Sequence, residues 1–322
     1  MARTTIVDVS SVLSAAQLRE EQWTIIKLAK HLYDQESSLH WCAQRSLIKN
    51  SVQCALCNIP LSLNNYQTSK DGKKWKCNVC KGRVSVRDGS IFQRSHLSMQ
   101  QMVLIIYHWA KELPQYIAAE EVELSTATVT EWFNLCKNEC ANWLYRNPIE
   151  VGGFDEDGQP LVVEIDESKF PCKQYHGGCV SDGRRVFGGL ERRSGKCFLV
   201  EINDHTVETV EETILKHILP GTHIVSNGWR CYSDLEALEG GIYMHSVVMH
   251  KRSFVDSVDI DVHTQNMQNL WSRMKRKLRM QFGTMCSLFE KYLLEFVWRS
   301  AFRREDIFTS ILISFSESYP TE

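Results

Sequence analysis

Four of the twelve cysteines in this chain of 322 residues have the spacing of metal ligands. Cys54 and Cys57 frame "CALC", and Cys77 and Cys80 frame "CNVC". Each pair can present two sulfurs from one tight turn, and two such turns complete a tetrahedral thiolate shell around zinc. An iron–sulfur cluster on the same ligands and four unliganded thiols are the alternatives. Because protein sulfurs would fill every coordination position, the predicted zinc ion is structural rather than catalytic.

Basic side chains surround the two cysteine pairs. The cluster comprises Lys70, Lys73, Lys74, Lys76, Lys81, Arg83 and Arg87. A local concentration of cations is what binding to nucleic-acid phosphates requires, and Lys73, Lys74, Lys76 and Arg83 are the predicted DNA contacts. Trp75 lies between the lysines, where it either stacks on a base or, more ordinarily, packs against the cysteine module.

A second candidate for chemistry is Asp166, which directly follows the apolar run "PLVVEI". A carboxylate at the end of a central strand anchors a pair of divalent ions in nucleases of the ribonuclease H type, where the ions activate water and stabilise the leaving oxygen. Such a site needs about three converging carboxylates. The other two are expected from the end of a later strand and from a helix near the end of the domain.

The elements that position these residues follow from hydrophobic periodicity. Residues 10–50 predict two small helices, and three more helices follow over about 102–144. The stretch "LSTATVTEWFNLC" has the layout of a helix-turn-helix in which Ser125 caps the second helix. Three threonines on that helix either face DNA or belong to an ordinary packing element: Thr126, Thr128 and Thr130.

The second half of the chain has a mixed α/β layout. Five strands are predicted in "LVVEIDESKF", "RRVFGGLE", "KCFLVEI", "THIVS" and "GIYMHSVV", with a helix at 206–218 between the third and the fourth. Two long helices follow at about 263–281 and 285–302. We therefore divide the chain into N-terminal helices at 1–50, a zinc ribbon at 51–95, a helical domain at 96–148, a linker at 149–160, an α/β domain at 161–303 and a C-terminal tail at 304–322.

Composition adds few constraints. The hydrophobic content of 43% suits a sizeable core, and the net charge of -2 neither suggests nor excludes a polyanionic partner. No run of about 18 apolar residues is present, and the N-terminus lacks the layout of a signal peptide. We therefore expect an intracellular protein with no membrane partner.

Several motifs resemble, in collinear order, the transposases of the Merlin DNA-transposon superfamily and their ISXO2-like bacterial insertion-sequence relatives. The motifs are "EIDESKF", "RRVFGGLERRSGKCFLVEI", "SNGWRCYSDL", "FVDSVDIDVHTQNMQNLWSRMKRKLR" and "YLLEFVWR", preceded by "CALC" and "WKCNVCKGRVSVRDGSIF". The resemblance covers about residues 35–300. It implies a ribonuclease H-like DDE transposase core, a mixed five-stranded sheet with helices, preceded by a zinc ribbon and a small helix-turn-helix-like domain.

The same resemblance implies three metal ligands, which the family uses to hold two magnesium or manganese ions. The first aspartate falls on Asp166, the second falls on Asn227 in "SNGW", and the glutamate falls on Gln268 in "HTQNMQNLW". Two of the three ligands are therefore amides in this chain. The exchange removes two negative charges from a site that must hold two dications beside a phosphodiester, so we expect no cleavage.

The opposing reading is that other acids compensate. The candidates are Glu164, Glu167, Asp204, Asp234, Asp256, Asp259 and Asp261, with Asp182 in a glycine-rich segment that departs from the family pattern. Strand alternation places Glu164 on the same face as Asp166 but deeper, and Glu167 on the opposite face.

The helix that begins near residue 263 has an apolar stripe and a basic remainder. Its cations either follow phosphates or form an ordinary solvated face: Arg273, Lys275, Arg276, Lys277 and Arg279. The leading hypothesis is a transposase-derived DNA-binding protein that has lost strand transfer and carries structural zinc. An active nuclease that uses magnesium or manganese, and a relic without selected function, are the alternatives. A homodimer is expected by analogy with the family, nuclear residence is expected if the source is eukaryotic, and host protein partners stay open.

Overall fold

The computed structural model describes residues 3–171, 183–202, 204, 206–232, 235–248, 263–280 and 288–320. The chain divides into two units, one of Met1–Cys140 together with Phe302–Glu322 and the other of Ala141–Ala301. Within the described ranges, no helix combines the length and the apolar character that crossing a membrane demands.

The helices are α1 (Ala15–Glu20), α2 (Ile25–His31), α3 (Gln35–Gln44), α4 (Met99–Ala110), α5 (Gln115–Glu121), α6 (Thr126–Arg146), α7 (Val207–His217), α8 (Gln265–Met280), α9 (Phe289–Ala301) and α10 (Ile307–Ser318). The strands are β1 (Ser62–Asn65), β2 (Lys73–Lys76), β3 (Arg83–Ser85), β4 (Val151–Gly152), β5 (Val162–Phe170), β6 (Arg184–Glu191), β7 (Cys197–Ile202), β8 (Ile218–Leu219), β9 (His223–Asn227) and β10 (Met244–Val248).

Side-chain caps define where the early helices begin. Ser14, Thr24, Asp34 and Ser98 each accept a hydrogen bond from a backbone N–H of the first turn, which satisfies a donor that helix geometry leaves without a partner. Residues 10–50 therefore contain three short α-helices where two were expected.

Helix α10 corrects the expectation of a C-terminal tail at 304–322. Its side chains Phe308, Ile311 and Leu312 are fully buried, and the helix packs against α1 and α4 in the first unit. Asp306 caps the helix by accepting a hydrogen bond from Phe308 N at 2.8 Å, and it also forms an ion pair with Lys111 at 3.1 Å.

The predicted turn between α5 and α6 is present. Ser125 caps α6, since its Oγ accepts a hydrogen bond from Thr128 N at 3.2 Å. The inner side of α6 buries Val129, Trp132 and Phe133. Thr130 donates to Gln115 on α5 at 2.8 Å, so this threonine joins the two helices.

The cysteine module contains a small antiparallel sheet in the order β1-β2-β3. Trp75 on β2 pairs with Leu63 and Val84 on the neighbouring strands and is fully buried. Trp75 therefore packs within the cysteine module and is not available to stack on a base.

The second unit is built on a five-stranded sheet in the order β10-β9-β5-β6-β7. Strand β6 runs antiparallel to both of its neighbours, while β5, β9 and β10 are mutually parallel. This is the strand order and direction of a ribonuclease H-like sheet, and it confirms the predicted fold class. One face of the sheet packs on α7 through Val163, Ile165, Val210 and Ile214.

The opposite face of the sheet carries α8. Gly188 on β6 lies opposite Asp166 in the strand register. A Cβ at Gly188 would lie 2.8 Å from Met267 Cε and 2.6 Å from Leu199 Cδ2. Glycine at this position therefore allows α8 to approach the sheet closely.

The predicted linker at 149–160 is incorporated into the second unit. Val151 is buried and pairs with Ile218, so that β4 and β8 form a short parallel ladder. Glu191 accepts a hydrogen bond from Gly152 N at 2.8 Å. The turn-forming residues of this segment predict a linker, because local composition does not indicate either of these long-range contacts.

Candidate functional site

Asp166 lies on the central strand β5, on the face of the sheet that α8 covers. Its side chain is only 3% exposed. Strand β9 pairs in parallel with β5, and parallel pairing brings the end of β9 to the same edge of the sheet as Asp166.

The structure brings together the three positions that the sequence singled out. Asn227, at the end of β9, donates from Nδ2 to Asp166 Oδ1 at 2.8 Å. Gln268, in the first turn of α8, donates from Nε2 to Asp166 Oδ2 at 2.8 Å. The three side chains therefore form one contiguous cluster, which we call the Asp166 cluster.

Trp271 is a fourth member, which lies on the buried apolar side of α8. Its Nε1 donates to Asp166 Oδ2 at 3.2 Å. Residues three apart on a helix share a face, so the spacing of Gln268 and Trp271 was the signal that could have identified it.

The direction of the hydrogen bonds decides what the Asp166 cluster can bind. An ionised carboxylate only accepts hydrogen bonds, so both amides must turn their NH₂ groups toward Asp166. The oxygen of Asn227 instead accepts from Trp229 N at 3.3 Å. Both oxygens of Asp166 are therefore engaged by protein donors, and the NH₂ groups occupy the directions in which ligand oxygens would face a cation.

Burial raises the pKa of Asp166 to about 6, and this effect outweighs the hydrogen bonds that favour the ionised form. The nearby phenol of Tyr232 is also buried, and burial followed by the negative charge of Asp166 raises its pKa. The surroundings therefore disfavour negative charge, whereas a site for two dications needs several negative charges.

Glu164 is occupied elsewhere. It is fully buried and accepts hydrogen bonds from Arg192 Nε at 2.7 Å, Asn266 Nδ2 at 2.8 Å and Met267 N at 2.9 Å. Since Met267 lies in the first turn of α8, Glu164 anchors the start of that helix to the sheet. This carboxylate is therefore engaged at the start of α8 by Asn266 and Met267 and by Arg192.

The remaining acidic candidates do not assemble a site among the described residues. Glu167 follows Asp166 on β5, so strand alternation turns it to the other face. Asp204 accepts a hydrogen bond from Thr209 Oγ1 at 2.6 Å beside the start of α7. The candidates Asp234, Asp256, Asp259 and Asp261 lie outside the described residues. So does Asp182, in the segment that differs from the family pattern.

The basic side of α8 is less available than the sequence indicated. Lys277 donates to the buried Glu295 at 2.9 Å, and the same carboxylate accepts from Arg299 at 2.8 Å. Lys277 therefore shares one carboxylate with Arg299, and its role as a phosphate contact stays a prediction. Arg273 lies over the Phe296 ring and Lys275 over the Phe170 ring, at 5.6 and 5.5 Å, and both keep their charge. Arg276 and Arg279 are also exposed cations of this helix.

The four cysteines converge as their spacing predicted. Their sulfurs all lie within 4.8 Å of one another, and Cys54 and Cys80 are 3.6 Å apart. Tetrahedral coordination with bonds of about 2.3 Å separates sulfurs by about 3.8 Å, so the geometry fits a zinc ion. Across the residues that the structure describes, this is the only group of three or more His, Cys, Asp or Glu side chains placed to hold a metal.

Backbone donors favour thiolate at one of these positions. The N–H of Cys80 donates to Cys77 Sγ at 3.4 Å, and backbone hydrogen bonds lower the pKa of Cys77 to about 6. Burial and the neighbouring thiols raise the pKa of Cys57 to about 12. A bound cation would favour the thiolate form of all four cysteines.

The cations of the cysteine module do not share one surface. Lys73 pairs with Glu36 of α3, and this contact lowers the pKa of Glu36. Arg87 forms a buried ion pair with Asp71. Lys73 and Arg87 are therefore paired with carboxylates, whereas Lys74, Lys76 and Arg83 lie together on the outer face of the sheet. The DNA contacts at Lys73, Lys74, Lys76 and Arg83 stay predictions.

Comparison with known proteins gives one family match. Residues 152–301 match the ISXO2-like transposase domain family. A search of curated protein sequences gives no match. The matched segment contains all three positions of the Asp166 cluster and both helices that follow the sheet.

Similar solved structures are retroviral. One is a chain of the simian T-cell lymphotropic virus intasome in complex with PP2A regulatory subunit B56 gamma, with 14% identity, a TM-score of 0.32 and coverage of 61% of this chain and 65% of that chain. The chain thus spans less than two thirds of that relative's length. Another is the HTLV-2 integrase catalytic core domain in complex with magnesium, with 12% identity, a TM-score of 0.27 and coverage of 43% and 82%. The BIV integrase catalytic core domain has 14% identity, a TM-score of 0.29 and coverage of 44% and 84%.

The family assignment rests on the sequence match and on the strand order, both of which concern the second unit. The match and the ribonuclease H-like sheet agree in their extent. Residues 152–301 of this chain therefore match the ISXO2-like transposase domain family and contain a ribonuclease H-like sheet.

Proposed function

We propose that this protein is a transposase-derived DNA-binding protein whose catalytic metal site is closed by its own hydrogen bonds. The observation that carries the proposal is the Asp166 cluster, in which two amides and one indole donate to a single carboxylate. In the inferred ancestral site, Asn227 and Gln268 would have been carboxylates that hold cations.

The charge of the Asp166 cluster supports the proposal. The cluster carries one negative charge at most, where three carboxylates would carry three. Two dications close together repel each other strongly in a buried site, and only a comparable negative charge offsets that repulsion. Without the ions, neither the attacking water nor the leaving oxygen is stabilised, and cleavage loses several kcal/mol of transition-state stabilisation.

The preserved scaffold supports a retained binding role. Glu164 still anchors α8, and Gly188 still allows its close approach to the sheet. The cations Arg273, Lys275, Arg276 and Arg279 stay available on α8. DNA affinity depends on such charges and not on the metal site, so it can persist after catalysis is lost.

Zinc is the proposed metal of the cysteine cluster, with a structural role. The cluster supplies four sulfurs and leaves no open position for a substrate. The sheet β1-β2-β3 is too small to hold its own fold through apolar burial, so metal binding stabilises it. A homodimer, and nuclear residence if the source is eukaryotic, complete the proposal.

The alternative, an active nuclease, is distinguished by a cleavage assay on duplex DNA with terminal-repeat sequence in the presence of manganese. We expect no nicking by the wild-type protein or by D166A. The double variant N227D/Q268E restores three carboxylates, and it is the positive arm of the experiment. Nicking by the wild-type protein that D166A abolishes would contradict the proposal.

A further inference from the structure

The outer face of the β1-β2-β3 sheet carries three cations that form no ion pair with any carboxylate among the residues that the structure describes. Cross-strand register places Lys76 opposite Arg83, and strand alternation places Lys74 on the same face as Lys76. Trp75 and Lys73 occupy the opposite face, where Lys73 pairs with Glu36. We call the cations of the outer face, with Tyr66, the ribbon face.

Tyr66 organises two of these cations without removing their charge. Lys74 Nζ lies 4.6 Å from the centre of the Tyr66 ring, and the Arg83 guanidinium lies 5.2 Å from it. Arg83 also donates to the Tyr66 hydroxyl at 3.3 Å. Contacts with an aromatic ring restrict the long side chains, so less conformational entropy is lost when they bind an anion.

The spacing of the ribbon face suits a repeating polyanion. Residues two apart on a strand are about 6.7 Å apart, which separates Lys74 from Lys76. Phosphates repeat at regular intervals along each strand of duplex DNA, so cations arrayed along one face of a strand can contact separate phosphates. Residues 51–95 contain eight Lys or Arg and only Asp71 and Asp88 as acids, and Asp71 is paired with Arg87.

The helix pair α5 and α6 has the opposite charge. Residues 112–136 contain no Lys or Arg. Four exposed carboxylates lie on these helices and the turn between them: Glu120, Glu121, Glu123 and Glu131. Phosphates would be repelled from this surface, although its fold has the layout of a DNA-reading motif.

We infer that the ribbon face, and not the helix-turn-helix, is the surface of the first unit that binds duplex DNA, through its phosphate backbone. The inference rests on the proposed DNA-binding function and deepens it. Lysine and arginine contacts to phosphates carry little sequence information, so the ribbon face supplies affinity and position rather than sequence recognition.

The test is fluorescence anisotropy of the full-length, zinc-loaded protein on a mixed-sequence duplex over a series of salt concentrations. The variant K74Q/K76Q/R83Q replaces the three cations of the ribbon face by neutral side chains. The control K27Q/K30Q/K73Q removes the same net charge from other surfaces of the first unit. Zinc content and circular dichroism confirm that each variant is folded.

We expect the ribbon variant to bind at least about tenfold more weakly, with the slope of log K against log salt reduced by about 2.7, or about 0.9 per lost phosphate contact. The control should keep a slope within about one contact of the wild type. An equal loss of DNA affinity in both variants, or no loss in the ribbon variant, would overturn the inference. Binding by the wild-type protein would in that case still support the proposed function. Absence of wild-type binding would instead contradict the proposed function.

A competing occupant is the acidic surface of α5 and α6 from a second copy of the chain. Sedimentation of the wild-type and ribbon variants without DNA separates the two. Self-association that the ribbon variant abolishes, with DNA affinity unchanged, would overturn the inference in favour of this contact.

Discussion

Replacing Asp166 by asparagine should raise the stability of the protein at neutral pH, because the change removes a buried charge and keeps the shape of the side chain. Burial raises the pKa of Asp166 from 3.8 to about 6 in the folded protein. A carboxyl group whose pKa is higher in the folded state binds its proton more tightly when folded. Its contribution to stability is therefore greatest below about pH 4 and is lost as the pH rises to about 6.

The shift from 3.8 to about 6 corresponds to about 3 kcal/mol, at about 1.4 kcal/mol for each unit. The variant D166N has no such group, so its stability lacks this pH dependence. The new amide can accept only at its oxygen, and one donor of the cluster then faces an NH₂ group, at a cost of about 1–2 kcal/mol. We therefore expect D166N to be more stable than the wild type by about 1–2 kcal/mol at pH 7.5 and less stable at pH 4.

Urea unfolding followed by tryptophan fluorescence measures both proteins between pH 4 and pH 8. The quantity of interest is the difference in unfolding free energy between wild type and D166N, because loss of zinc in acid affects both alike. The reasoning predicts that this difference changes by about 3 kcal/mol across the range. A difference that stays constant with pH would refute the claim that the hydrogen bonds of the cluster only partly offset the burial of its charge.

Three further predictions concern the scaffold. G188A should destabilise the protein by about 1–3 kcal/mol in urea unfolding, because the new Cβ would lie within 3 Å of Met267 and Leu199. F308A should cost about 3–5 kcal/mol, and a value near zero would restore the tail assignment for α10. E164Q should cost about 3–5 kcal/mol, since it leaves the Arg192 charge without its buried partner.

The sequence predicted much of the second unit because its strands are short apolar runs and α8 has a clear apolar stripe. The convergence of Asp166, Asn227 and Gln268 was also predictable, since the family resemblance assigned all three positions. The hydrogen-bond directions were not. They depend on how two amides rotate toward one carboxylate, and only the packed site determines that rotation.

Other features escaped prediction because they join residues that are far apart in the chain. Glu164 contacts Asn266 across 102 positions, and no local pattern marks either residue as a partner. The sequence pattern predicts that Lys277 is a surface cation, but its side chain donates a hydrogen bond to Glu295, which is 18 residues away in the chain. The opposite faces of β2 explain why Lys73 and Lys74, adjacent in sequence, differ in availability.

Manganese binding tests the central claim most directly. Crystals of the wild-type protein soaked in manganese, with diffraction recorded near the manganese absorption edge, show whether a cation reaches Asp166. The closed cluster predicts no anomalous peak within about 3 Å of the Asp166 carboxylate in the wild type, and a peak there in N227D/Q268E. Two manganese ions beside Asp166 in the wild-type protein would contradict the claim.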